Sequence, residues 1–144
     1  MPTSQEEILD LLSHKSWKAR FSAYEALIEV FQKTTSDTDP AFKPYIGNHD
    51  LLKKIATDAN AVAQEKGIEC LMSLVKYSGE TSARTREAVV PVLVDRCFGS
   101  SRARTRFNAL ELTLQYVEVE NNVTGVVVSM FFLCVMCIHL IRTL

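Results

Sequence analysis

The stretch "KSWKARFSAYEALIEVF" (15–31) decides the fold, because its pattern occurs three times. "ANAVAQEKGIECLMSLV" (59–75) and "SRARTRFNALELTLQYV" (101–117) repeat it. With Glu25, Glu69 and Glu111 aligned, the small residues Ala23, Gly67 and Ala109 coincide. So do the apolar residues Tyr24, Ile68 and Leu110. Further upstream Ile8, Leu52 and Val94 fall together, then Leu11, Ile55 and Cys97. The steps between the aligned glutamates are 44 and 42 residues.

A step of that size lies within the ~40–47-residue period of HEAT and armadillo helical repeats. Each unit reads as a pair of helices. The first helices span about 5–13, 50–58 and 85–98, and the second about 17–33, 61–78 and 102–118. Ile8, Leu11 and Leu12, or Val89, Val92 and Leu93, recur at helical spacing. Thr3 and Ser4 before Glu6 and Glu7 suit a helix start. Short polar turns, "SHKS", "TDANA" and "GSSRA", join the two helices of a unit. Longer connections, "TTSDTDPAFKPYIGNH" and "SGETSART", join the units. The expected fold is all-α, a HEAT-like helical-hairpin solenoid of about three repeats with a hydrophobic C-terminal helix. A helix pair cannot bury its apolar stripe alone, so the pairs stack. The short turns then line up as a ridge along one edge.

Composition narrows the function. The 144 residues suit one domain with a substantial core. Sixteen Lys and Arg against seventeen Asp and Glu leave a net charge of -1, so a charge-driven partner must meet a local patch. Five Gly and four Pro suit long helices. The start "MPTSQEEILD" lacks the basic and apolar regions of a signal peptide, so the body reads as cytosolic. Cys70 and Cys97 sit in apolar helical patterns and read as buried thiols. Cys134 and Cys137 form a C-x-x-C near His139, but within an apolar run and without a second ligand pair, so no metal is assigned. No cofactor is implied. His14, His49 and His139 are scattered, and there is neither a nucleophile–base set nor a glycine-rich phosphate loop. The chain does not read as an enzyme.

The ridge carries the remaining signal. Its first turn offers His14, Lys15, Trp17, Lys18 and Arg20. The second offers Asp58, Asn60, Ala61 and Val62, and the third Ser100, Ser101, Arg102, Arg104 and Thr105. Trp17 is the single tryptophan, and its aligned positions hold the small Ala61 and Ala103. The repeat core therefore does not require a large ring there. A tryptophan anchor among Arg and Lys fits an interface with an acidic protein partner. Nucleic acid is disfavoured. Glu6, Glu7, Asp10, Glu25, Glu29, Asp37 and Asp39 surround the first basic turn, and no stacking series of aromatics is present.

The blocks "SWKARFSAYEAL", "ANAVAQEKGIECL" and "SRARTRFNALEL" followed by "YVEVEN" resemble the start of a TOG domain of the microtubule polymerase and CLASP-related family. The resemblance covers about residues 5–121. It implies a flat paddle of HEAT repeats whose turns grip curved, unpolymerised αβ-tubulin, without catalysis. It implies that Trp17 packs on β-tubulin and that Val62, with Asn60 beside it, is the apolar contact of the second turn. Arg102 and Arg104 match basic residues of the third turn. Lys18 and Arg20 are further contacts by the same resemblance, and support of the turn from within its own helix is the other reading of Arg20. Delivery of tubulin to growing plus ends, and a cytoskeletal place in the cytoplasm at spindle poles, kinetochores or plus ends, follow from the same resemblance. A general HEAT scaffold binding another protein, anchored in a membrane where the C-terminal segment serves as a tail anchor, is the alternative.

The family carries about six such repeats, and three are recognised here. Residues 1–122 are therefore expected to form a partial TOG domain, and residues 123–144 a separate hydrophobic tail. From Val123 to Ile141 run 19 residues without a formal charge, enough to meet the ~18-residue criterion for a membrane span. Three readings fit the tail. It is a tail anchor in a membrane, an apolar helix that caps the stack, or intron sequence translated past an exon, since every valine codon begins GT.

Overall fold

The computed structural model describes residues 4–120, and all its regular structure in that range is helical. The α-helices are α1 (Gln5–Leu12), α2 (Trp17–Gln32), α3 (Lys43–Ile46), α4 (His49–Ala56), α5 (Ala61–Ser78), α6 (Arg86–Arg96) and α7 (Ala103–Val119). Helices α1 and α2, α4 and α5, and α6 and α7 form three successive hairpins. The second helices stack in one layer, α2 on α5 and α5 on α7, while α4 packs on α6 in the other. This is the expected solenoid, with helix bounds close to those read from the repeat.

Local chemistry starts the helices where the sequence indicates. The Ser4 hydroxyl accepts from the Glu7 N–H at 3.2 Å, and Glu6 and Glu7 sit at the positive end of α1. Asn48 caps α4 by accepting from the Leu51 N–H, and Asn60 caps α5 by accepting from Val62 and Ala63. Each cap satisfies a donor that the first helical turn leaves free.

The first long connection departs from expectation. It folds into a 3₁₀ turn over Pro40–Phe42 followed by the single-turn α3. Asp39 starts it by accepting from the Ala41 N–H at 2.9 Å, with Pro40 at the first helical position. The turn buries Phe42, Tyr45 and Ile46. Phe42 and Tyr45 pack on the Phe31 ring at centroid distances of 5.4 and 5.5 Å, the latter edge-to-face. Elements of three and four residues are too short to show a helical period, which is why the stretch reads as a linker. The second connection is a 3₁₀ helix, Gly79–Thr85, so α6 begins at Arg86 rather than at Thr85. Gly79 ends α5 at φ +50°, a conformation that favours glycine. Thr85 closes the connection on α7 through a buried 2.7 Å hydrogen bond between its hydroxyl and that of Tyr116.

The repeated small residue has a steric cause. Ala23, Gly67 and Ala109 are all fully buried. A Cβ at Gly67 would stand 2.7 Å from the Ile55 carbonyl oxygen, so α5 crosses α4 where no side chain fits. Gly67→Ala therefore sets about 1–3 kcal/mol of overpacking against a helix-propensity gain of up to ~1 kcal/mol. We expect a net loss of about 1–2 kcal/mol, read from the urea midpoint. An unchanged or raised midpoint would mean that α4 and α5 separate freely.

Cys70 and Cys97 are buried as expected, and burial pushes both thiols up, Cys97 to about 11. Leu110 keeps the aligned position but not the burial of its counterparts. Its counterparts Tyr24 and Ile68 are buried, whereas Leu110 is exposed, because no helix among the described residues packs on the outer face of α7. The expected tail, with Cys134, Cys137 and His139, lies outside the described residues. Among the described residues no helix is long and apolar enough to cross a membrane, and no side-chain cluster could hold a metal ion.

Candidate functional site

The short turns meet along one edge because side chains of the second helices hold them there. Arg20, one turn into α2, donates from Nη1 to the carbonyls of His14 and Lys15 at 2.8 and 3.0 Å. Arg106 occupies the same repeat position in α7 and donates to the Ser100 carbonyl at 2.6 Å. Gln64 is their counterpart in α5 and donates to the Ala56 carbonyl at 3.1 Å. Each unit thus uses a long donor that binds back to the preceding turn or, for Gln64, to the end of the helix before it. The aligned Arg20, Gln64 and Arg106 were a legible signal for this role, and only Arg20 was read that way.

Between the first and second turns the tether is ionic. Arg20 binds Asp58 bidentately, Nε to Oδ2 and Nη2 to Oδ1, both at 2.7 Å. The Tyr24 hydroxyl donates to Oδ2 at 2.8 Å and the Asn60 N–H to Oδ1 at 2.9 Å. The Asp58 side chain is 1% exposed. Burial alone would push its carboxyl up, but these donors outweigh burial and hold it below the usual carboxylate range. Asp58 also raises the pKa of Arg20, and burial followed by the bond to Asp58 raises that of Tyr24. Sequence reading placed Asp58 on the ridge without a role, since its partner is 38 residues away in the chain.

The third turn is tied to the second helix of the unit before it. Arg102 donates to Glu65 at 2.6 Å and Arg104 to Glu69 at 3.5 Å, while Lys66 pairs with Glu69 at 2.7 Å. The bond from Arg102 holds the Glu65 carboxyl below its ordinary range. The third turn is therefore less basic than its sequence suggests. Arg104 keeps the freer cation, at 66% side-chain exposure and a long contact.

The edge still presents what the sequence singled out. Trp17 is 36% exposed and Val62 42% exposed, each in the first turn of its helix. Lys18 lies 5.9 Å from the Trp17 ring centroid, within reach of a cation–π contact. Asn60 is half-buried because its side chain is used as the α5 cap, which leaves it a structural duty beside any contact. Arg102 and Arg104 are exposed on the third turn. The edge so assembled has exposed apolar groups on its first two turns and cations on the first and third. An open cleft of about 340 Å³ lies between the first two turns, bounded by His14, Arg20, Lys54 and Thr57.

Comparison with known proteins gives these features a context. The family model described as "XMAP215/Dis1/CLASP, TOG domain" matches residues 3–134. Protein mini spindles of Drosophila melanogaster is 35% identical over 107 residues, 74% of this chain and 5% of that protein. The spindle pole body component alp14 of Schizosaccharomyces pombe is 34% identical over 109 residues, 75% of this chain and 14% of that protein. The chain thus spans a small part of the relatives it matches. A solved structure described as the structural basis of tubulin recruitment and assembly by microtubule polymerases with tumor overexpressed gene (TOG) domain arrays superposes with a TM-score of 0.75. It is 29% identical and covers 84% of this chain and 25% of its own. This is not an enzyme family. Stacked helical hairpins, an edge of short turns and a match over most of its length place the chain in the XMAP215/Dis1/CLASP TOG domain family.

Proposed function

We propose that the turn edge binds unpolymerised αβ-tubulin and that the chain acts as a tubulin-binding module at growing microtubule ends and in the spindle. Trp17 and Val62 supply the apolar anchors, Lys18, Arg102 and Arg104 meet acidic side chains, and Asn60 contributes beside Val62. The observation that carries this reading is the exposure of Trp17 and Val62 on adjacent turns that Arg20 and Asp58 lock together. Exposed aromatics beside arginine are the usual anchors of protein interfaces. The relatives' names, mini spindles and spindle pole body component, support a cytoskeletal place at the spindle and its poles.

Tubulin binding is tested by size-exclusion chromatography of the chain with unpolymerised tubulin; failure to comigrate would sink the proposal. Arg104 offers a finer test, since its bond to Glu69 is long and exposed and contributes little to stability. We expect Arg104→Ala to leave the urea midpoint within ~0.5 kcal/mol of wild type and to weaken tubulin binding by about 1 kcal/mol, roughly fivefold. The loss should shrink as salt rises. An affinity unchanged at low salt would remove Arg104 from the interface.

A further inference from the structure

Around the start of α7 the chain departs from its own repeat, and the departures meet in space. In the repeat alignment Arg102 corresponds to Ser16 and Asn60, Thr105 to Ala19 and Ala63, and Glu65 to Phe21 and Phe107. Asn60 caps α5 with its own side chain, whereas Arg102 stands at the α7 N-cap and makes no side-chain cap bond. A stabilising cap is given up there, and a cation is set at the positive end of the helix dipole. Arg104 and Arg106 follow, and the first turn of α7 holds no acidic residue. Helix stability alone does not favour this start.

Glu65, on the second helix of the preceding unit, holds the arrangement. Its Oε1 accepts from Arg102 Nε at 2.6 Å and from the Thr105 hydroxyl at 3.4 Å. Thr105 is fully buried and the Glu65 side chain is 17% exposed, while that of Arg102 is 45% exposed. The carboxylate is thus set against a buried hydroxyl, and the guanidinium stands out from it. Among the described residues Nη1 and Nη2 of Arg102 have no partner. Two such nitrogens can bind a carboxylate as a fork. A long side chain that is already fixed loses less freedom when a partner binds it. Arg104 is held less firmly, since it reaches Glu69 at 3.5 Å and shares it with Lys66.

We propose that Glu65 is a positioning residue that holds Arg102 by Nε and aims Nη1 and Nη2 at an acidic side chain of the partner, a role that rests on the turn edge binding unpolymerised tubulin. Charge and position give opposite expectations here. Removing an acid beside an acidic partner should tighten binding by charge alone. Removing the residue that aims Arg102 should weaken it.

The test is a double-mutant cycle read in the Kd for unpolymerised αβ-tubulin, measured by sedimentation velocity on the full chain, with urea midpoints as the check on folding. Glu65→Gln keeps the shape of the side chain and removes its charge. It should raise Kd about threefold to tenfold, the cost of fixing one long side chain at an interface. Glu65→Asp keeps the charge but shortens the reach, and it should also raise Kd. It serves as the second variant should Glu65→Gln disturb folding. In an Arg102→Ala background neither substitution should raise Kd further. A merely structural role of Glu65 would move the urea midpoint without this coupling. Wild-type binding with the Kd of Glu65→Gln unchanged or lowered would overturn the proposal, a lowered value meaning that Glu65 competes with tubulin for Arg102. A loss that persists in the Arg102→Ala background would overturn it too, because Glu65 would then act without Arg102. Absence of wild-type binding would instead remove the tubulin reading itself, and the role of Glu65 with it.

Discussion

Asp58→Ala is expected to lower the unfolding free energy by about 3–5 kcal/mol, the range for removing one partner of a buried charge pair. The carboxylate accepts from four donors: Arg20 Nε and Nη2, the Tyr24 hydroxyl and the Asn60 N–H. Its loss leaves the Tyr24 hydroxyl buried without an acceptor and the Arg20 guanidinium without its counter-ion, and neither can recover full hydration in place. Urea unfolding with an unchanged slope checks the value. A loss below about 1 kcal/mol would mean that water replaces the carboxylate at little cost, and that the tether does not set the spacing of the first two turns. The same carboxylate predicts a pH dependence. Its folded pKa lies below the ordinary 3.8. Its contribution is therefore complete above about pH 4 and is lost as pH falls through the folded value. The stability gap between wild type and Asp58→Asn should be constant from pH 7 to 5 and close below pH 4. A gap that does not narrow as pH falls below 4 would assign the effect to shape and not to charge.

Trp17→Ala should behave oppositely, with a small effect on folding and a large one on binding. The ring is partly exposed, and its repeat counterparts Ala61 and Ala103 show that the hairpin closes without it. We expect a stability change within about 1 kcal/mol. Tubulin affinity should fall by about 2 kcal/mol or more, roughly thirtyfold in Kd. That separation is what marks an interface anchor. A variant that unfolds but binds normally once folded would make Trp17 a packing residue, and the first turn would lose its proposed role.

The helix pairs were legible because their evidence is periodic. Glu25, Glu69 and Glu111 recur at a fixed step, and Ala23, Gly67 and Ala109 report the close crossing of helices that the repeat imposes. The exposed residues of the edge were legible for the same reason, since alignment set Trp17 against two alanines. The folded connection around Phe42 and Tyr45 was not, because one-turn elements carry no period. Nor were the pairings of Asp58 with Arg20, Glu65 with Arg102 and Glu69 with Arg104, which join residues 35 to 38 apart. A single sequence marks each of those charges but not its partner, so the third turn read as more basic than its ion pairs leave it. Leu110 shows the limit from the other side. The repeat gave its face correctly, but the degree of burial depends on a neighbour that the alignment does not contain.

The central claim is that the Trp17 edge contacts unpolymerised tubulin. Because Trp17 is the single tryptophan, growth with 5-fluorotryptophan gives a chain with one fluorine resonance. The measurement is the ¹⁹F NMR spectrum of that chain titrated with unpolymerised αβ-tubulin. The edge model predicts that this resonance shifts and broadens in a saturable way, with Asp58→Asn weakening the response. A sharp, unmoved resonance at tubulin concentrations that saturate comigration, or no comigration at all, would contradict it.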